Sequence, residues 1–239
     1  MRKAYLVLGV SLALCALPAS AQRSDWKQKL GLQKTDEVGE SDTIAGLKEA
    51  LSIGAEKAVQ LTGREDGYFN NEAIKILMPE KLRKVQKGLS RLGQEEMVDS
   101  FVLSMNRAAE KAAPFAKDIF WDAIKEMKFD DGRKILTGGD TAATDYLKAN
   151  TNDKLTAAFL PVVKESMEAV GVTQQYKNMM GRFESLPFAK NVTFDVDQYT
   201  VEQALNGLFH MLAEQETAIR TDPAARVTDL LKTVFAKGG

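Results

Sequence analysis

Cysteine and histidine are nearly missing from this chain, whose 239 residues hold one of each, Cys15 and His210. A single histidine excludes the paired-histidine zinc helix and the paired Glu-x-x-His di-iron bundle, because each needs at least two imidazoles. A single cysteine excludes an internal disulfide and an all-cysteine zinc site. Long runs of one charge are absent too. With 32 basic and 33 acidic residues the formal net charge is −1, which leaves no electrostatic footprint for nucleic acid. After Leu17 nothing approaches the roughly 20 consecutive apolar residues of a membrane span, and no unit of about 20 to 50 residues repeats, which excludes a solenoid.

What is present starts with Met1-Arg2-Lys3, an apolar run from Ala4 to Leu17, Pro18, and Ala19-Ser20-Ala21 just before Gln22. A basic start, a short apolar run and a small-x-small site form the pattern of a cleavable export signal. The sequence predicts cleavage after Ala21 and a periplasmic mature protein. Cys15 offers the other outcome, a lipoprotein, which ranks second because Leu14 is bulky where that signal wants a small residue. Cleavage after Ala21 removes Cys15 and with it thiol chemistry. Losing Arg2 and Lys3 turns 32 basic against 33 acidic residues into 30 against 33, a net charge near −3.

Residues 22–42 are polar, without periodic apolar positions, and read as a flexible tether. Residues 43–237 read as one all-α domain of roughly eight to ten helices. Ser41-Asp42-Thr43 supplies capping chemistry for a first helix carrying Ile44, Leu47, Leu51, Ala55, Ala58, Val59 and Leu61. Further helices are expected near 80–91, 94–112, 114–127, 130–136, 140–149, 152–169, 173–183, 198–220 and 223–236, with Gly, Pro or polar breaks between them. In the 198–220 helix, Val201, Ala204, Leu205, Leu208, Leu212 and Ile219 fall on one stripe, with Phe209 at its margin. The 94–112 helix has an apolar face of Met97, Val98, Phe101, Met105, Ala108 and Ala112, yet Leu103 projects from the opposite side, as in a helix covered on both sides. Ile74–Met78 and Val192–Val196 have strand composition and could pair as a small two-stranded ribbon.

Most candidate site residues carry a plain structural reading. His210 falls on the polar side of its helix beside Glu214, and two ligands do not make a metal site. Asp195-Val196-Asp197 departs from a calcium loop at Tyr199 and Thr200, and Asp197 reads as a helix cap. At Gly138-Gly139-Asp140, Asp140 is expected to occupy the free amides of the following helix, leaving little room for an external anion. Asn106, Arg107 and Glu110 are the most informative cluster. On an open helix face they make a solvated ion pair, and under a second layer they become a buried network or a pocket wall. Trp121 projects from its helix as an aromatic lining a groove or partner surface does. Arg220, Asp222-Pro223, Arg226 and Asp229 mark a tight helix junction whose arginines satisfy carbonyls or carboxylates.

Gly46-Leu47-Lys48-Glu49-Ala50-Leu51, Asn106-Arg107-Ala108-Ala109-Glu110-Lys111-Ala112, Ile135-Leu136-Thr137-Gly138-Gly139-Asp140, Ala142-Ala143-Thr144 and Asp229-Leu230-Leu231-Lys232 together resemble the bacterial family of domain of unknown function 4197. The resemblance runs from about Ile44 to Phe235 and implies an exported protein. It brings no activity, cofactor or catalytic set with it.

The leading functional expectation is a non-enzymatic periplasmic binding or scaffold module for an apolar or amphipathic small molecule, or for an envelope protein, with no cofactor and no metal. It rests on the missing nucleophile and metal motifs and on Phe, Met and Trp side chains that exceed one clean stripe. The alternative is a hydrolase or lyase in which Arg107, Glu110 and Asp122 or Asp140 meet in a cleft. A third is a self-associating structural protein with a patch around Leu103 and Trp121.

Overall fold

The structure is a computed structural model, and it describes residues 40–169, 176–178, 180–181 and 194–222. The expected leader, nearly all of the expected tether, Arg226 and the helix expected over 223–236 lie outside these residues. The described residues form seven α-helices and no strand: α1 (Glu40–Gly63), α2 (Arg83–Ser90), α3 (Glu95–Ala112), α4 (Ala116–Glu126), α5 (Phe129–Leu136), α6 (Ala142–Ala169) and α7 (Val196–Thr221). The fold is all-α, and among the described residues no helix is long and apolar enough to cross a membrane.

Helix α7 is the centre. The expected stripe of Val201, Ala204, Leu205, Leu208, Leu212 and Ile219 is buried throughout, and Phe209 joins it. Around α7 pack α6, α1 and α3, with α4 closing against α1 and α6. Helix α7 starts at Val196, and its cap is Asp195 rather than Asp197: the Asp195 carboxylate accepts from the Gln198 N–H at 2.9 Å. Asp197 instead sits inside the first turn, where burial first and Asp195 second push its carboxyl above the ordinary range.

Two further expectations are corrected. The helices expected at 140–149 and 152–169 are one helix, α6. The polar run that suggests a break, Thr151-Asn152-Asp153, stays helical because the buried Thr151 hydroxyl donates to the Leu147 carbonyl at 2.6 Å; Thr chemistry that favours helix ends is satisfied here within the helix. Among the described residues no β ribbon forms, and Val192 and Thr193 of the expected second strand lie outside them. Ile74, Ile76 and Met78 are buried while Leu77 is exposed, so burial alternates along the segment, but among the described residues it has no strand partner, and Val196 belongs to α7. The alternation holds, and the expected partner strand does not.

Helix α3 is covered on both sides. Phe101, Met105, Ala108 and Ala112 face the core, and Asn106, Ala109 and Glu110 are buried as well. The second cover is the irregular segment 64–79. Its Tyr68 reaches α7, where the phenol donates to the Ala204 carbonyl at 2.6 Å. Burial pushes the Tyr68 phenol well above its usual range, so it remains a donor. The ring lies against Gly207, where an added Cβ would stand 2.6 Å from Tyr68 Cε1 and 3.1 Å from Ile74 Cβ. This close approach explains a mid-helix glycine that costs about 1 kcal/mol of helix propensity. Gly207→Ala is therefore expected to destabilise the protein by about 1–3 kcal/mol, despite the gain in propensity. Gly132→Ala, whose new Cβ would meet only the flexible Ile44 side chain, with Cδ1 at 2.6 Å, serves as the comparison. Denaturant midpoints at unchanged slope read both effects, and a Gly207→Ala protein more stable than wild type would contradict the packing of Tyr68 on α7.

Candidate functional site

Segment 64–79 is held to α3 by side chains in place of a β partner. Asn106 is fully buried and clasps Ile76 through both its N–H and its carbonyl: Oδ1 accepts from the Ile76 N–H at 2.9 Å, and Nδ2 donates to the Ile76 carbonyl at 2.8 Å. The same nitrogen donates to the Val102 carbonyl at 2.8 Å. One turn on, Glu110 is 4% exposed. Its Oε1 accepts from the Tyr68 and Phe69 amides at 3.1 and 3.2 Å, and its Oε2 accepts from Arg107 Nη1 at 2.7 Å. Arg107 Nη2 reaches back to Asp66 Oδ1 at 2.7 Å and to Glu65 Oε1 at 3.5 Å. The hydrogen bond to Glu110, with a smaller contribution from Asp66, holds the guanidinium above its ordinary pKa. Asp66 itself has φ +63°, the left-handed region that costs a non-glycine residue about 1 kcal/mol or more; the ion pair with Arg107 helps to hold it there.

A second buried carboxylate does the same work at the start of α6. Glu216 is 7% exposed. It accepts from the Ala143 N–H at 2.9 Å, the Thr144 N–H at 2.8 Å and the Thr144 hydroxyl at 2.9 Å. Arg220 flanks it, with Nε at 3.0 Å and Nη2 at 2.8 Å, and also donates to the Ile135 carbonyl at 2.9 Å. The first-turn amides of α6 are thus occupied by Glu216, which corrects the expectation that Asp140 fills them; Asp140 is exposed in the preceding turn. The signal for Glu216 is on the wheel: it is an acid four residues after Leu212 and three before Ile219, inside the apolar stripe. The cleft beside it, between Leu51, Leu147 and Ile219, has a volume of about 20 Å³, room for one water and for no larger ligand.

The remaining candidates stand apart. Trp121 is 46% exposed with Lys125 Nζ at 5.3 Å from its ring, and Asp122 is exposed on the same helix. His210 is exposed, 3.4 Å from Glu214. Leu103 is half-buried. Neither Asp122 nor Asp140 takes part in the Arg107 network, which joins Arg107 to Glu65, Asp66 and Glu110. Glu110 and Glu216 have each oxygen already accepting from the protein's own donors. Among the described residues no group of three or more His, Cys, Asp or Glu is placed to hold a metal.

The clasped segment forms one wall of a groove of about 650 Å³, whose other wall is α2 and the first turns of α3. Phe69, Leu77, Met78, Val98 and Val102 give it an apolar lining, with Lys75, Arg83, Gln86 and Asp99 at its polar margins. Leu77 is 60% exposed, and its carbonyl is held by the Tyr199 hydroxyl at 3.1 Å. Lys75 Nζ lies 4.1 Å from the Phe69 ring centroid. None of these residues stands out in the sequence as a site. The signal available is the period-2 alternation of 74–78, which sends Lys75 and Leu77 to the face opposite the core.

Glu216→Ala is expected to cost about 3–5 kcal/mol, because it removes the carboxylate that balances the Arg220 charge and leaves two buried main-chain amides without their acceptor. Glu214→Ala, two residues away in an exposed pair with His210, should stay within about 0.5 kcal/mol of wild type. Equal denaturant midpoints for the two variants would contradict the structural role given to Glu216.

No curated protein and no solved structure matches the chain. A family model described as a protein of unknown function, DUF4197, matches residues 37–236, a span that contains both carboxylate networks and the groove, and the chain belongs to this family.

Proposed function

We propose that this protein is an exported, non-enzymatic binding module of the cell envelope whose ligand is an amphipathic small molecule held in the groove between segment 69–78 and helices α2 and α3. Export rests on the leader pattern of residues 1–21. The observation that carries the binding reading is the groove itself. Its volume of about 650 Å³ falls in the range of about 300–1,000 Å³ of small-molecule sites, and its lining sets the apolar Phe69, Leu77, Met78, Val98 and Val102 beside the polar Lys75, Arg83, Gln86 and Asp99, as an amphipathic ligand requires. Leu77, exposed beside buried Ile76 and Met78, is an apolar side chain with no core to enter. The wall that carries it is backed by Asn106 and Glu110, so the site is formed before a ligand arrives and little ordering entropy opposes binding.

Native mass spectrometry of the protein, purified from cells that export it, tests this reading. A small-molecule adduct is expected on the wild-type protein and is expected to be lost in Val102→Glu, which places a charge in the groove lining. A spectrum without adduct, or an adduct that survives Val102→Glu in a folded protein, would sink the reading.

A further inference from the structure

The polar margin of the groove is unequal. Among the described residues the Lys75 ammonium has the Phe69 ring, 4.1 Å away, as its contact and no carboxylate within ion-pair distance. The second cation, Arg83, is engaged by Glu80 at 2.9 Å. The one acid in the lining, Asp99, lies two helical turns before Asn106 on α3, about 10 Å of helix rise, whereas Lys75 adjoins the Ile76 peptide that Asn106 clasps. Positive charge therefore stands at the Asn106 end, Asp99 belongs to the other, and Leu77, Val98 and Val102 line the groove. An anion beside this ammonium adds Coulomb attraction and a charge-assisted hydrogen bond, where a neutral group offers only the weaker hydrogen bond.

We propose that the groove binds a single-chain amphiphile with an anionic headgroup, its head on Lys75 and its chain along Phe69, Leu77, Val98 and Val102; the proposal rests on the binding reading above and names its ligand class. The apolar side chains lie within a concavity, so a free amphiphile reaches them and the flat face of a bilayer does not.

The test uses the full chain, stripped of lipid, and three probes of equal chain length held below micelle formation: laurate, dodecanol and dodecyltrimethylammonium. Binding is followed by the NMR shifts of the Leu77, Val98 and Val102 amides. Laurate is expected to bind about tenfold or more tighter than dodecanol, with the ammonium probe weakest. Lys75→Met keeps the stem over Phe69 and is expected to remove the laurate preference while leaving the dodecanol affinity in place. Lys75→Glu is expected to reverse the order of the two charged probes. Equal binding of all three probes, unaffected by Lys75→Met, would overturn the headgroup assignment and leave the groove as a ligand site. No groove shifts with any probe would overturn both. Association with phosphatidylglycerol vesicles in place of monomeric laurate would overturn the single-chain ligand.

Discussion

A carboxylate taken into a helical core has to recover in hydrogen bonds the hydration it gives up. Glu110 and Glu216 recover it on main-chain amides of other segments, with an arginine one helical turn away on the same helix completing each set. The benefit is mutual. Segment 64–79 carries backbone donors that no strand or helix satisfies, and the start of α6 exposes first-turn amides that Asp140 in the preceding turn leaves open. Each carboxylate meets a need that the local sequence does not fill. The same interaction therefore fixes one irregular segment and one helix start, and an apolar substitute would satisfy neither.

The influence of the Glu110 network extends to the surface. Asn106 and Glu110 set segment 68–76 against α3, Tyr68 locks that segment to α7 through Ala204, and the alternating burial of residues 74–78 then leaves Lys75 and Leu77 on the outer side. This groove wall stands without a sheet because an asparagine side chain supplies the two hydrogen bonds that a neighbouring strand would supply. A wall held by buried hydrogen bonds belongs to the stable part of the molecule, in contrast to the surface loops that open at low free energy.

The helical architecture is legible in the sequence because it depends on periodicity. The α7 stripe and the double cover of α3 follow from positions such as Leu205, Phe101 and Leu103, whose helical faces are set by spacing alone. Asn106, Arg107 and Glu110 are legible as a cluster, and their burial is not, since what covers them is a segment without periodic structure. The ribbon fails for the same reason: the alternation of 74–78 reports which faces are buried, while the identity of the hydrogen-bonding partner, a side-chain amide some 30 residues away, leaves no local trace. Proximity in sequence favours Asp140 over Glu216 as the occupant of the α6 amides, and the long-range contact with α7 prevails over it. Lys75 and Phe69 give no sequence signal because neither belongs to a motif; their relation is purely spatial.

Native-state amide hydrogen exchange measures the central interaction directly. If Glu110 and Asn106 hold segment 68–76 as described, the amides of Tyr68, Phe69 and Ile76 exchange as slowly as core amides of α7 such as that of Leu208, although they lie in no helix or strand. Exchange of those three amides at the rate of exposed loop positions, with α7 still protected, would contradict the account.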